Sequence, residues 1–62
     1  MIQMVKLNVG WAYTDGNKLY EAKIKRDDKG YLYITHLRKK YYLENLGTID
    51  RPWYSVINQG RN

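Results

Sequence analysis

The sequence predicts an all-β (mainly β) fold, a small and strongly bent barrel of five strands in a single domain spanning residues 1–62. Three observations favour this fold. Apolar and polar residues alternate at a period of two, hairpin-type turn sequences separate the alternating segments, and 62 residues suffice for one domain only. The chain has no cysteine and one histidine, so neither a disulfide nor a zinc site can staple it. We therefore expect no metal and no cofactor.

The first strand is predicted over residues 5–14. Odd-numbered positions there are apolar or aromatic, whereas even-numbered positions are small or polar, which is typical of a strand with one buried face. Gly10 lies inside this segment and predicts a bulge or a sharp bend. The turn Asp15-Gly16-Asn17 follows, because Gly16 can adopt a positive φ.

Two further strands follow in a meander. Residues 18–26 place Tyr20, Ala22 and Ile24 on one face, which predicts a second half-buried strand. The turn sequence of residues 27–30 ends it. Residues 31–35 form the predicted third strand, with Leu32 and Ile34 facing inward and Tyr31 and Tyr33 facing outward.

Residues 36–46 have two interpretations. A short helix is possible, with Thr35 as its N-cap and Gly47 just after its end. The preferred interpretation is a turn at residues 38–40 followed by a fourth strand at residues 41–43, because three basic residues oppose the dipole of a helix N-terminus. Pro52 then requires an extended chain, and a last short strand is predicted over residues 53–57. Residues 58–62 are expected to be a frayed tail.

Part of the chain resembles a known family. The stretch Val9-Gly10-Trp11-Ala12-Tyr13-Thr14-Asp15-Gly16-Asn17-Lys18-Leu19-Tyr20-Glu21-Ala22-Lys23-Ile24 is similar to the opening hairpin of Tudor and chromo-barrel domains, and residues 31–36 resemble the third strand of chromo barrels. The resemblance covers residues 9–36 and implies an SH3-like barrel. It also implies a methyl-lysine reader as one possible function. Beyond residue 36 only Asp50-Arg51-Pro52-Trp53 is similar to the family's Trp-rich segment, and the preceding aromatic pair is displaced to Tyr41-Tyr42.

The sequence does not favour an enzyme. Nucleophilic catalysis needs a nucleophile, a base and an orienting group, and the chain offers one histidine, one serine and no cysteine. Strand alternation places His36 with Leu32 and Ile34, so a structural imidazole is the favoured interpretation. Asp27 and Asp28 are adjacent on a turn and point apart, which is typical of turn formers. We expect a non-enzymatic protein.

The charge distribution points to nucleic acid. Eleven Lys and Arg residues against six Asp and Glu give a net charge of +5, and cations interleaved with tyrosines are typical of proteins that bind DNA or RNA. Contact with about four to six phosphates would give a salt slope near −4 to −5 on duplex DNA. The predicted nucleic-acid-binding residues are Lys23, Lys25, Arg26, Lys29, Tyr31, Tyr33, Arg38, Lys39, Lys40 and Tyr41.

Other partners stay open at the sequence level. An aromatic groove of Tyr13, Tyr42 and Trp53 at the open end of the barrel would hold a cation or a base. The alternative function is a small phage- or plasmid-type accessory protein that binds and modulates a larger host protein, and exposed sheet edges would allow a homodimer. The sequence has no targeting signal and no membrane segment, so we expect a cytoplasmic protein, or a nuclear one in a eukaryote.

Overall fold

The computed structural model describes residues 1–57, so the predicted tail of residues 58–62 lies outside the described residues. The described part is built from β-strands. Its seven strands are β1 (Gln3–Lys6), β2 (Trp11–Thr14), β3 (Leu19–Glu21), β4 (Lys25–Arg26), β5 (Leu32–His36), β6 (Lys39–Asn45) and β7 (Tyr54–Val56). No helix occurs within residues 1–57. The predicted all-β class is confirmed, and the helical interpretation of residues 36–46 is wrong.

The strands form two antiparallel sheets. One has the order β1-β2-β3 and the other the order β4-β5-β6-β7. Strand β1 lies against β7, but no strand pairing joins the two sheets within residues 1–57. The described part of the chain is therefore not a closed barrel, and it has more strands than the predicted five because two of the predicted strands are broken.

The first of these breaks is at Gly10. Residues 5–14 are not one strand: β1 and β2 are the two arms of a hairpin, with Lys6 opposite Trp11. The Leu7 amide donates to the Gly10 carbonyl at 3.2 Å, and Gly10 has a φ of 85°. Because only glycine adopts this φ without strain, the chain reverses here instead of bending. Val9 is consequently exposed at the turn.

The second break lies in the predicted strand of residues 18–26. Strand β3 belongs to the first sheet and β4 to the second, so residues 22–24 carry the chain from one sheet to the other. The predicted buried face is nevertheless confirmed, since Tyr20, Ala22 and Ile24 all pack against the core. The turns on either side are also confirmed, with positive φ at Gly16 and Gly30.

The core lies between the two sheets. Its buried members are Ile2, Tyr13, Ile34 and Leu43, and Ile34 is only 1% exposed. Burying a side chain of this size contributes about 1.5–3 kcal/mol. The predicted inward orientation of Leu32 and Ile34 on β5 is thus confirmed, and the opposite side of the second sheet is left for solvent or a ligand.

Candidate nucleic-acid interface

Three predicted nucleic-acid-binding residues occupy the outer side of the second sheet, together with one residue of the predicted aromatic groove. In the strand register, Lys25 of β4 lies opposite Tyr33 of β5, and Tyr33 lies opposite Tyr42 of β6. Lys40 is two positions before Tyr42, so strand alternation places it on the same side. This side is opposite the one that carries Ile34 and Leu43. We call this surface the tyrosine face: Lys25, Tyr33, Lys40 and Tyr42.

Side-chain contacts tie the tyrosine face together. The Lys40 ammonium lies 4.7 Å from the centroid of the Tyr33 ring, which is a favourable cation–π distance. The Tyr33 and Tyr42 rings are 5.7 Å apart and tilted by 52°. Tyr31, two positions before Tyr33, is 63% exposed. Positive charge and accessible aromatic surface therefore occur side by side.

Asp27 places a negative charge at the edge of the tyrosine face. Its carboxylate accepts the Tyr31 and Lys29 amides at 2.9 and 3.0 Å and the Tyr42 hydroxyl at 3.4 Å. The Tyr31 amide is the largest cause of a pKa below the usual value for Asp27, and the Lys29 amide, the Tyr42 hydroxyl and the charge of Lys40 act in the same direction. Asp27 is thus ionised at neutral pH, and it orients Tyr42 while it holds the turn.

A shallow cleft extends the positive surface toward the first sheet. The cleft has a volume of about 260 Å³ and is lined by both Lys23 and Lys25, together with Glu21, Thr35, Tyr13 and Tyr20. Lys23 and Lys25 are both exposed. The structure therefore brings Lys23 to the border of the tyrosine face.

The remaining predicted nucleic-acid residues lie elsewhere. Arg26 pairs with Leu32 across the ladder, and its guanidinium donates to the Gly30 carbonyl at 2.9 Å. Lys39 lies over the ring of Tyr41 at 5.4 Å, and Tyr41 packs against the core. Lys29 is in the β4–β5 turn and Arg38 at the tip of the β5–β6 hairpin.

The three residues of the predicted aromatic groove are not brought together. Tyr13 is buried in the core, where it stacks on Tyr20 with ring centroids 5.1 Å apart. Tyr42 belongs to the tyrosine face. Trp53 makes an edge-to-face contact with Trp11 at 5.6 Å. This arrangement offers no common site for these three rings.

His36 is packed in a cluster of aromatic and acidic side chains. It lies 3.0 Å from the Tyr13 hydroxyl through Nδ1 and 3.9 Å from Asp15 through Nε2, and it packs against the rings of Tyr13 and Tyr20. Burial and the nearby Asp15 charge raise the pKa of both tyrosines. The cluster connects β2, β3 and the end of β5.

In residues 1–57 no three or more His, Cys, Asp or Glu side chains are grouped so as to hold a metal ion. No helix of that part of the chain has the length and apolar character to cross a membrane. Searches against protein families, curated proteins and solved structures found no match.

Proposed function

We propose that this protein binds single-stranded nucleic acid through the tyrosine face, without catalysing a reaction. The observation that carries the proposal is the contact between Lys40 and Tyr33, next to Tyr42 and opposite Lys25. An ammonium group held beside an aromatic ring can contact a phosphate while a base of the same strand stacks nearby.

A single strand suits this surface better than a duplex. Stacking on a tyrosine requires a base that is free of its neighbours, and single strands supply such bases. Tyr31 is the leading stacking residue because it is the most exposed ring at the edge of the face. Tyr33 and Tyr42 are half-buried and contribute ring edges and hydroxyls.

The cations of the tyrosine face give the number of phosphate contacts that the proposal expects. Lys23, Lys25 and Lys40 are the cations on or beside the tyrosine face, which corresponds to about three phosphates and a salt slope of about −2 on single strands. This slope is shallower than the value near −4 to −5 expected for about four to six phosphates on duplex DNA, because fewer phosphate contacts are counted and single strands release fewer counterions per phosphate. The other predicted cations are not counted: Arg26 and Lys39 point to the other side of the sheet, and Lys29 and Arg38 lie in turns.

Matched charge reversals test the proposal. Lys40→Glu removes the cation from the tyrosine face, whereas Lys18→Glu makes the same change of net charge in the exposed β2–β3 turn. Fluorescence anisotropy with a labelled oligothymidine at ~50 mM salt should show at least tenfold weaker binding for Lys40→Glu and a small change for Lys18→Glu. Equal weakening by both variants, or no binding of the wild type, would contradict the proposal.

Tyrosine substitutions separate stacking from charge. Tyr31→Leu keeps a large apolar side chain without a ring, and Tyr31→Phe keeps the ring. We expect about 5- to 150-fold weaker binding for the leucine variant, since loss of one stacked base costs about 1–3 kcal/mol. The phenylalanine variant should bind nearly as well as wild type.

The proposed fold type is an opened SH3-like barrel. Strand β1 lies against β7, and residues 22–24 pass from one sheet to the other as a bent strand of such a barrel would. The proposed location is the cytoplasm, or the nucleus in a eukaryote, where a nucleic-acid ligand is present.

A further inference from the structure

A second surface lies between the β1–β2 turn and the loop of residues 46–53. It is a cleft of about 450 Å³ lined by Lys6, Gly10, Trp11, Asp50, Arg51, Pro52 and Trp53. We call it the tryptophan cleft. It shares no residue with the tyrosine face, so it provides an independent site on the molecule.

Aromatic rings form one wall of the tryptophan cleft. Trp11 and Trp53 meet edge to face, with ring centroids 5.6 Å apart and an angle of 79° between the planes. Tyr54 supports Trp11 at 5.2 Å. Trp53 nevertheless remains 56% exposed. Large, partly exposed aromatic rings held by other rings are the usual anchors of protein interfaces.

The loop that carries Trp53 is held in place by the side chain of Asn45. The Asn45 carbonyl oxygen accepts the amides of Gly47 and Trp53 at 2.8 and 2.9 Å, and its amide group donates to the Thr48 carbonyl at 3.0 Å. A Cβ atom on Gly47 would clash with the carbonyl of Arg51. These contacts restrain the loop conformation, which lowers the conformational entropy that the loop would lose on binding a ligand.

Both segments around the cleft present aliphatic side chains to solvent. Val9, next to Gly10, is 91% exposed, and Ile49, next to Asp50, is 94% exposed. A fixed loop that holds an isoleucine at its tip exposes apolar surface that a partner could cover.

The charges at the cleft define the chemistry of the occupant. Lys6 and Arg51 outnumber Asp50, and the Lys6 ammonium already lies 5.8 Å from the centroid of the Trp11 ring. This ammonium disfavours a cationic ligand at the ring. Carboxylates suit the two basic side chains, and the aliphatic surroundings suit a protein chain better than a sugar-phosphate strand.

We propose that the tryptophan cleft binds a segment of a partner protein that is both acidic and apolar. An apolar side chain of that segment lies against Trp11 and Trp53, and flanking carboxylates contact Lys6 and Arg51. The proposal does not depend on nucleic-acid binding at the tyrosine face.

Selection from a random dodecapeptide phage library tests this proposal. The full chain is the bait, and Lys6→Glu/Arg51→Glu is the comparison variant, with Lys18→Glu/Lys29→Glu as a control of equal net charge. We expect wild type and control to enrich peptides that combine Asp or Glu with large apolar residues, and the cleft variant to lose this enrichment. An enriched peptide should then shift both tryptophan indole N–H signals in the NMR spectrum.

Four results would overturn the proposal: no enrichment, enrichment of Lys- and Arg-rich peptides, equal enrichment by the cleft variant, or enriched peptides that leave both indole signals unchanged. Analytical sedimentation of the free protein could give a fifth result that overturns the proposal. A dimer that the cleft variant dissociates would assign the cleft to a second copy of the chain. A Trp53→Leu variant with wild-type stability should bind the selected peptide at least tenfold more weakly.

Discussion

Asp15 and Asp27 each stabilise a turn by accepting hydrogen bonds from two backbone amides. The Asp15 carboxylate accepts the amides of Asn17 and Lys18 at 2.8 and 3.0 Å, and Asp27 accepts those of Lys29 and Tyr31. The Lys18 and Asn17 amides, in that order, lower the pKa of Asp15, and the Tyr31 amide lowers that of Asp27 most. Both ionised carboxylates therefore stabilise the fold.

The pH dependence of stability follows from these lowered pKa values. A carboxylate with a lower pKa in the folded than in the unfolded state contributes its full stability above the ordinary value near 4, and this stability is lost as the pH falls through the folded pKa. We expect the midpoint temperature of thermal unfolding to decrease as the pH is lowered below about 4. Asp15→Asn keeps an oxygen acceptor but cannot titrate, so its midpoint should change less with pH than that of wild type. If Asp15→Asn has the same pH profile as wild type, this role of Asp15 is contradicted. Asp28→Asn, which changes the exposed neighbour of Asp27, is the control.

The tip of the β5–β6 hairpin is strained at two residues. Leu37 and Arg38 have φ values of 52° and 68°, and a two-residue turn with both φ values positive favours Asn-Gly. We expect Leu37→Asn/Arg38→Gly to raise the free energy of unfolding by about 1 kcal/mol, because it removes this strain. Urea denaturation measures the change. A loss of stability would show that the tip contributes contacts that outweigh its strain.

At the scale of elements, the loop of residues 46–53 depends on one side chain. Asn45→Ala removes the three hydrogen bonds that hold Gly47, Thr48 and Trp53. We expect the free energy of unfolding to fall by about 1–3 kcal/mol and Trp53 fluorescence to shift to longer wavelength. Asn45→Asp keeps the acceptor for two of the three bonds and should lose less. Equal losses in both variants would contradict the assigned hydrogen bonds.

The β5 strand and the turn before it were predictable because their signals are local. Alternation at residues 31–36 places Ile34 inside and Tyr33 outside in any antiparallel sheet, and Asp27 with Gly30 makes a turn whatever the surroundings. The β1–β2 hairpin was not predictable in this way. Alternation continues through Gly10, so the pattern alone does not distinguish a bent strand from the hairpin in which Lys6 pairs with Trp11.

The tyrosine face and the tryptophan cleft also differ in how far local sequence signals predict them. Lys25 and Tyr33 are both among the predicted nucleic-acid-binding residues, and their proximity follows from the antiparallel pairing of neighbouring strands in a meander. The position of Lys40 over Tyr33 depends on a two-residue turn at Leu37 and Arg38, which carries neither Gly nor Asn and so gives no turn signal. The tryptophan cleft is not evident from the sequence, because the alternation of residues 5–14 places Trp11 on the predicted buried face. The loop that brings Trp53 beside Trp11 is held by the side chain of Asn45.

At the scale of the whole molecule, the net charge of +5 divides between surfaces with different surroundings. At the tyrosine face the cations stand beside tyrosine rings and suit phosphates. At the tryptophan cleft Lys6 and Arg51 stand beside tryptophans and exposed aliphatic side chains. The two surfaces have no residue in common, so the two proposed ligands do not compete for the same side chains.

One NMR titration tests the central claim, that the tyrosine face is the nucleic-acid interface. The 15N-labelled chain is titrated with single-stranded decathymidylate at ~50 mM salt, and the backbone amide and indole signals are followed in one spectrum. We expect shifts concentrated at Lys25, Tyr31, Tyr33, Lys40 and Tyr42, with both tryptophan indole signals unchanged. Shifts concentrated on the indole signals of Trp11 and Trp53, or no shifts at all, would contradict it.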